Sequence, residues 1–197
     1  LDYYFLTGYR RAKEVAETCA DFCRLNAPYR WKQELAPDLQ QRALHPEQDW
    51  PYSTRVAGWP LVAMSTFYEA FGDERFLRSM EALVDLFEVW QDEQGRWREQ
   101  IGSFNRAATP FMNASVLQGL MRYHRCTGDQ RALRILLRGA DFLVAQGRTI
   151  EGIFYYKESA LSATPHGSTV MLLEPLAFAY ENNGDPALLD AGYRLFR

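Results

Sequence analysis

A glycine-centred turn, Thr127-Gly128-Asp129-Gln130-Arg131, recurs along this chain with similar residues around it. The other copies are Leu6-Thr7-Gly8-Tyr9-Arg10, Phe71-Gly72-Asp73-Glu74-Arg75 and Asn183-Gly184-Asp185-Pro186. Their glycines follow one another at intervals of 64, 56 and 56 residues. Self-similarity with a period of this size indicates stacked supersecondary units.

The residues on both sides of each glycine have helical spacing. Apolar residues stand eleven and eight positions before the glycine in three copies, namely Leu61 and Met64, Leu117 and Leu120, and Leu173 and Leu176. Spacings of three and four place side chains on one face of a helix. Glycine ends a helix in the left-handed conformation at little cost, and the aspartate after it can cap the next helix. Each unit is therefore predicted to be helix, tight turn, helix.

The two helices of a unit differ in polarity. The helix before the glycine is apolar or small on most sides, as in residues 57–70, 112–123 and 170–180, which is typical of a buried helix. The helix after it is charged on one face. An inner ring of buried helices within an amphipathic outer ring predicts an all-α fold, an α/α toroid. Residues 1–197 are predicted to form a single α/α-toroid domain, or a fragment of one, with about three and a half hairpins of an incomplete toroid.

Bulk properties exclude several classes of function. The net charge of −3 and the pI near 5.7 give no basic surface for nucleic acid. No run of eighteen apolar residues predicts a membrane span, no secretion signal is visible at the start, and no compartment is indicated. Metal-ligand spacings and a glycine-rich phosphate loop are absent, so neither a metal nor a cofactor is predicted.

Two local features carry expectations about packing. The three cysteines, Cys19, Cys23 and Cys126, do not make a disulfide framework and are predicted to be packed thiols. Pro175 falls within the predicted inner helix 170–180 and is expected to kink it, because proline removes a backbone donor.

Three long connections each join an outer helix to the next inner helix. They are residues 25–58, 91–111 and 146–168, here called the first, second and third connections. All three precede an inner helix, so they lie at the same end of the stack, here called the mouth, where helix N-termini carry partial positive charge. They are rich in aromatic, carboxylate and arginine side chains and contain histidine. This composition is typical of a sugar site, because aromatic faces stack on sugar C–H surfaces and planar polar groups bind hydroxyls.

A glycoside hydrolase needs two carboxyl groups that flank the scissile bond. The candidates are Asp49, Glu99 and Glu158, with Glu99 or Glu158 as the acid. The candidate substrate-binding residues are Tyr52, Arg55, Trp59, Trp97 and Arg106. Trp97 follows Gly95 in a predicted turn, so it could instead be tucked beneath the connection.

A polysaccharide lyase would use other members of the same set. Tyr155 or His166 would act as the base, and Arg55 or Arg106 would neutralise a uronate. The sequence does not separate the two kinds of enzyme.

The pattern of residues 116–123, the turn 127–129 and the outer-helix segment 140–143 resembles the six-hairpin glycosidase superfamily. That group contains glycoside hydrolases, unsaturated uronide hydrolases, polysaccharide lyases and sugar epimerases on (α/α)6 toroids. The resemblance covers essentially the whole chain and is architectural, since no catalytic motif of one family is matched. It implies a carbohydrate-active enzyme domain that acts on an oligosaccharide or polysaccharide.

Other interpretations stay open from the sequence. A non-catalytic α/α repeat module could bind a glycan or a protein partner in its concave mouth, and self-association could complete the ring. Residues 91–97 are also similar to the Gln…Gly-x-Trp motif of terpene cyclases, but the motif occurs once and their acidic Asp-x-Asp-Asp motif is absent.

Overall fold

The computed structural model describes residues 1–26, 53–100, 106–158 and 167–197. Its α-helices are α1 (Asp2–Thr7), α2 (Arg10–Asn26), α3 (Thr54–Phe71), α4 (Leu77–Trp90), α5 (Pro110–Thr127), α6 (Gln130–Gln146), α7 (Leu173–Asn183) and α8 (Pro186–Phe196). Short 3-10 helices cover Glu74–Phe76 and Gly167–Leu172, and strand β1 (Glu99–Gln100) pairs antiparallel with β2 (Arg106–Ala107) in the second connection. The predicted order of helical hairpins is confirmed.

The repeated turn has the predicted geometry. Each of the four glycines has a positive φ, between 65° and 73°, and donates its N–H to the carbonyl four residues earlier at 2.7–2.8 Å. The side chains of Asp73, Asp129 and Asp185 accept a hydrogen bond from the N–H two residues later. In the first copy, where Tyr9 replaces aspartate, the Thr7 hydroxyl accepts from the Tyr9 N–H at 3.2 Å.

The inner layer is built from α3, α5 and α7, and the outer layer from α2, α4, α6 and α8. Glycine brings α3 close to α5, since a Cβ on Gly58 would overlap Ser115 and one on Gly119 would lie 3.0–3.1 Å from the Leu61 side chain. Helix α5 is the most deeply buried of the inner helices. The short helix α1 has no buried residue, unlike the inner helices α3, α5 and α7.

The start of α7 also differs from the prediction. The inner helix is not continuous from residue 170: a 3-10 helix ends at Leu172, and Pro175 lies in the first turn of α7 rather than in its interior. Proline has no N–H to offer to the carbonyl of Met171, four residues earlier. The Gln118 amide of α5 donates to that carbonyl instead, at 3.1 Å. The break in the inner helix is thus satisfied by its neighbour.

The cysteines occupy different environments. Cys126 is partly buried on α5, with its thiol 3.7 Å from the Ser65 carbonyl oxygen, and burial, with a smaller contribution from Glu69, raises its pKa to about 11. Cys23 is also partly buried, and burial raises its pKa. Cys19 is exposed, so the prediction of a packed thiol is wrong there. The outer face of α2 has no neighbouring helix among the described elements to cover it.

None of the helices in the described part of the chain combines the length and apolar character needed to cross a bilayer.

Candidate functional site

The exposed stripes of the inner helices form one surface, here called the inner face. On α3 the stripe contains Arg55, Trp59, Thr66 and Glu69; on α5 it contains Phe111, Gln118, Arg122 and Arg125; on α7 it contains Glu174, Ala177 and Glu181. Arg122 lies 3.9 Å from the Glu69 carboxylate and 4.0 Å from that of Glu174. The three stripes are therefore neighbours across α3, α5 and α7.

The inner face changes character along its length. Near the turns it is charged, and Arg125 donates to Glu174 at 3.0 Å. Near the mouth it is aromatic. The Trp59 side chain is 45% exposed, and the rings of Phe111 and Tyr156 stack with centroids 5.2 Å apart and an interplanar angle of 15°. Exposed or half-exposed aromatic faces are what a sugar ring packs against. The mouth end therefore suits a carbohydrate better than the turn end does.

Trp59 and Arg55, two of the predicted substrate-binding residues, lie near the start of α3, at its mouth end. Both are exposed, and their spacing of four residues places them on one face of α3, within its first two turns. Neither side chain is drawn into the core, so both are available to a ligand at the mouth.

The second connection begins with a turn that is fixed to the outer wall. Gly95 has a φ of 89°, and a Cβ there would overlap the carbonyl oxygen of Arg138 on α6. The Gln91 amide donates to the carbonyls of Gly95, at 3.0 Å, and Ile135, at 2.9 Å. Arg138 in turn donates to the carbonyl of Asp92 at 2.8 Å. The base of this connection is therefore rigidly docked on α6.

Trp97 belongs to that docked turn. Its side chain is fully buried, its Nε1 donates to the Phe87 carbonyl at 3.0 Å, and its six-membered ring lies against Gly139 of α6. With no ring face exposed, Trp97 does not suit the substrate-binding role predicted for it, and the alternative of a tucked side chain describes its position. The residues that resemble the terpene-cyclase motif thus have packing roles.

Glu158 is the candidate acid whose surroundings are described. Its side chain is 27% exposed, and Oε1 accepts from Arg96 Nη1 at 2.9 Å. Oε2 accepts from the Ala108 N–H at 3.2 Å, while the Glu158 N–H donates to the Ala108 carbonyl at 2.9 Å. Tyr155 is half-buried in the same connection, and its N–H donates to the Gly147 carbonyl at 2.9 Å.

Of the other candidate residues, the structure describes only the backbone of two and nothing of three. Glu99 pairs with Ala107 and Gln100 with Arg106, so Glu99 and Arg106 lie on one β-hairpin at the mouth. For Glu99 and Arg106 the structure describes the backbone only. Asp49, Tyr52 and His166 lie outside the described residues.

Sequence reasoning did not single out Arg96 or the Phe111–Tyr156 pair. Arg96 stands four residues after Asp92, a charge spacing that was a usable signal, and its guanidinium bonds both Asp92 and Glu158. The stacked pair has no local signal, because its members are 45 positions apart in sequence.

Unused hydrogen-bonding capacity also concentrates at this end. Within the described residues, four buried side-chain atoms have no hydrogen-bond partner: Gln91 Oε1, Arg98 Nε, Thr109 Oγ1 and Asn113 Nδ2. All four lie in the second connection or the first turn of α5. Such atoms are uncommon in native proteins and occur where water or a ligand binds. The described residues hold no cluster of three or more His, Cys, Asp or Glu side chains that could bind a metal ion.

A surface groove of about 450 Å³ lies elsewhere, along α2. Its carboxylates include Glu17 and Asp21, which pair with Arg75 at 2.9 Å and Arg24 at 2.7 Å. This groove is on the outer layer, and its neutralised charges do not suggest a catalytic centre.

Helical hairpins with an aromatic mouth define the class of protein as an α/α toroid of the six-hairpin glycosidase type, as the sequence predicted. The chain belongs to the family described as "Beta-L-arabinofuranosidase, GH127 catalytic domain", which matches residues 1–197. No curated protein matches the sequence.

A solved structure, that of cellobiose 2-epimerase from Bacillus thermoamylovorans B4167, has the same fold. The superposition has a TM-score of 0.61 with 19% sequence identity. It covers 72% of this chain and 39% of the epimerase, so the chain spans less than half the length of that enzyme.

Proposed function

We propose that this chain is part of a glycoside hydrolase catalytic domain that binds a glycan at the mouth end of its inner face. The observation that carries the proposal is the family match over residues 1–197. The exposed Trp59, the Phe111–Tyr156 stack and the unpaired buried polar atoms of the second connection and the start of α5 support the same location. The family description favours a hydrolase over a lyase, and an L-arabinofuranoside as the sugar.

The proposed chemistry uses two carboxyl groups on either side of the glycosidic bond. Asp49 and Glu99 are the proposed pair, with Glu99 as the acid, because the β1–β2 hairpin holds its backbone at the mouth. Trp59 would stack on the sugar, and Arg55, Arg106 and Tyr52 would bind its hydroxyl groups. If the substrate carried a uronate, Tyr155 or His166 would serve instead as the base of a lyase.

Hydrolysis of methyl β-L-arabinofuranoside, whose poor leaving group has to be protonated, by the purified protein tests this function. Glu99→Gln is expected to lower kcat by roughly 10²–10⁴-fold, the usual cost of losing a general acid. Glu93→Gln is the matched control, since Glu93 is an exposed glutamate of the same connection. Binding of the sugar without turnover in the wild type would support the alternative, a non-catalytic glycan-binding module.

We also propose that two copies of this chain associate to extend the ring. The first hairpin exposes large apolar side chains, including Phe5, Leu6 and Phe22, and α8 exposes Leu189 and Phe196. A second copy suits these faces, because each hairpin already packs on a hairpin of the same kind. Light scattering is expected to give twice the 22.8 kDa of one chain. A mass of one chain at micromolar concentration would contradict the association and leave the proposed chemistry untouched.

A further inference from the structure

We propose that Glu158 is a positioning residue rather than the proton donor: with Arg96, it fixes the β1–β2 hairpin, and with it Glu99 and Arg106, against the third connection. This inference rests on the proposed function and refines the set of catalytic residues at the same site.

Glu158 holds one residue of the second connection from both sides. Its Oε2 accepts from the N–H of Ala108 at 3.2 Å, and its own N–H donates to the carbonyl of Ala108 at 2.9 Å. Ala108 is fully buried and directly follows β2, the strand that carries Arg106 and pairs with Glu99. Both backbone polar groups of this residue therefore depend on Glu158. A change at Glu158 is transmitted to the hairpin through a single peptide unit.

Arg96 anchors the other side of the Glu158 carboxylate. Its side chain is only 13% exposed, its Nε donates to Asp92 Oδ2 at 2.9 Å, and its guanidinium carbon lies 5.6 Å from the centre of the Phe142 ring on α6. Asp92 also accepts from the Arg96 N–H at 2.9 Å. A planar guanidinium held in this way presents a fixed donor to Glu158. The outer wall, the second connection and the third connection are thus joined in one network.

The same contacts hold both oxygens of the Glu158 carboxylate within the protein. One oxygen accepts from the Arg96 guanidinium and the other from the Ala108 N–H. Hydrogen bonds of this kind are directional, so they fix the carboxylate between the two connections. A general acid instead has to direct an oxygen at the leaving group.

The test compares Glu158→Gln, Glu158→Ala, Arg96→Gln and the double variant Arg96→Gln/Glu158→Ala, with Glu93→Gln as the control. Amide hydrogen exchange across residues 106–109 is the first measurement and needs no substrate. We expect Glu158→Ala to speed the exchange of the Ala108 amide at least about tenfold, and Glu158→Gln, which keeps an acceptor oxygen, to restore most of the protection. Unchanged exchange in Glu158→Ala would overturn the proposal.

Turnover of methyl β-L-arabinofuranoside, whose alkoxide leaving group has to be protonated, is the second measurement. We expect Glu158→Gln to stay within about tenfold of wild type, below the roughly 10²–10⁴-fold cost of losing a general acid, and to leave the basic limb of the pH–rate profile in place. The double variant should be no worse than Glu158→Ala alone, because both changes break one network. Loss of turnover and of the basic limb in Glu158→Gln would make Glu158 the acid. If the wild type shows no turnover, the proposed function fails for this substrate, and the exchange result still decides the role of Glu158.

Discussion

Replacing Gly139 by alanine puts a methyl group where the six-membered ring of Trp97 lies. An ideal Cβ at this position would overlap Cζ3 and Cη2 of the indole and come within 3.2 Å of Leu117 Cδ2. The indole cannot move away easily, because it is fully buried and its Nε1 is bound to the Phe87 carbonyl. Overpacking costs about 1–3 kcal/mol, and the overlap with two atoms of a ring that cannot move favours the upper part of that range, about 2–3 kcal/mol. Alanine returns about 1 kcal/mol through its higher helix propensity. We expect a net loss of about 1–2 kcal/mol in the free energy of unfolding.

Urea unfolding followed by far-UV circular dichroism measures this loss without depending on tryptophan fluorescence. Gly192→Ala is the matched control, since Gly192 lies within α8 and a Cβ there meets nothing within 4 Å. That change is expected to stabilise the protein by about 0.4–1 kcal/mol. The same substitution is also made in a Trp97→Phe background, where the phenylalanine ring does not extend to the position of the indole Cη2. In that background Gly139→Ala is expected to be neutral or stabilising.

Residues 97 and 139 are therefore expected to be strongly coupled, with an interaction energy of about 1–3 kcal/mol in the double-mutant cycle. Equal costs of Gly139→Ala in the wild-type and Trp97→Phe backgrounds would refute it, because the cost would then come from α6 itself. A stability of Gly139→Ala equal to or above that of the wild type would refute it as well.

Two further predictions concern ionisation. The pKa of Cys126 is raised to about 11, so its thiolate fraction at pH 8 is roughly 0.1%. Cys126 should therefore react with a disulfide reagent far more slowly than the exposed Cys19 until urea is added. Mass spectrometry of labelled peptides checks this, and equal rates in the folded protein would contradict it. Burial, and secondarily Asp185, raise the pKa of Asp141, so its carboxylate weakens the fold above the folded pKa and has no effect below its ordinary value of 3.8. Asp141→Asn should therefore raise the free energy of unfolding at pH 7 by roughly 0.2–0.5 kcal/mol and leave it unchanged at pH 3. Urea unfolding at the two pH values measures this difference. An equal gain at both pH values would rule out a charge effect.

The sequence was sufficient for the hairpins because their signals are local. Gly128 takes a positive φ to end α5, and the aspartate after it caps α6, so five residues are enough to predict the turn. The same pattern recurs along the chain, and each copy predicts another turn. The failed expectation at Cys19 concerns a helix face whose burial depends on what packs beside it, and local spacing does not contain that information.

The site was less accessible to sequence reasoning because its contacts join distant segments. Arg96 and Glu158 are 62 residues apart, and their ion pair depends on how two connections meet at the mouth. Trp97 lies in a notch that exists only because residue 139 of another helix is glycine. Composition therefore located the mouth, while the docking of each connection decided which aromatic and acidic side chains face a ligand.

The glycine contacts between α3 and α5 have a geometric consequence for the whole arc. Two helices approach most closely where small residues meet, and here the close approach lies within the inner layer, at Gly58 and Gly119. Inner helices that sit closer together than the outer ones give each hairpin a wedge shape, and a row of wedges bends into a curve. The curvature of the inner face is thus determined partly by two glycines at the contact of α3 and α5. A single added methyl group at residue 58 would meet Ser115, push these two helices apart and flatten the curve.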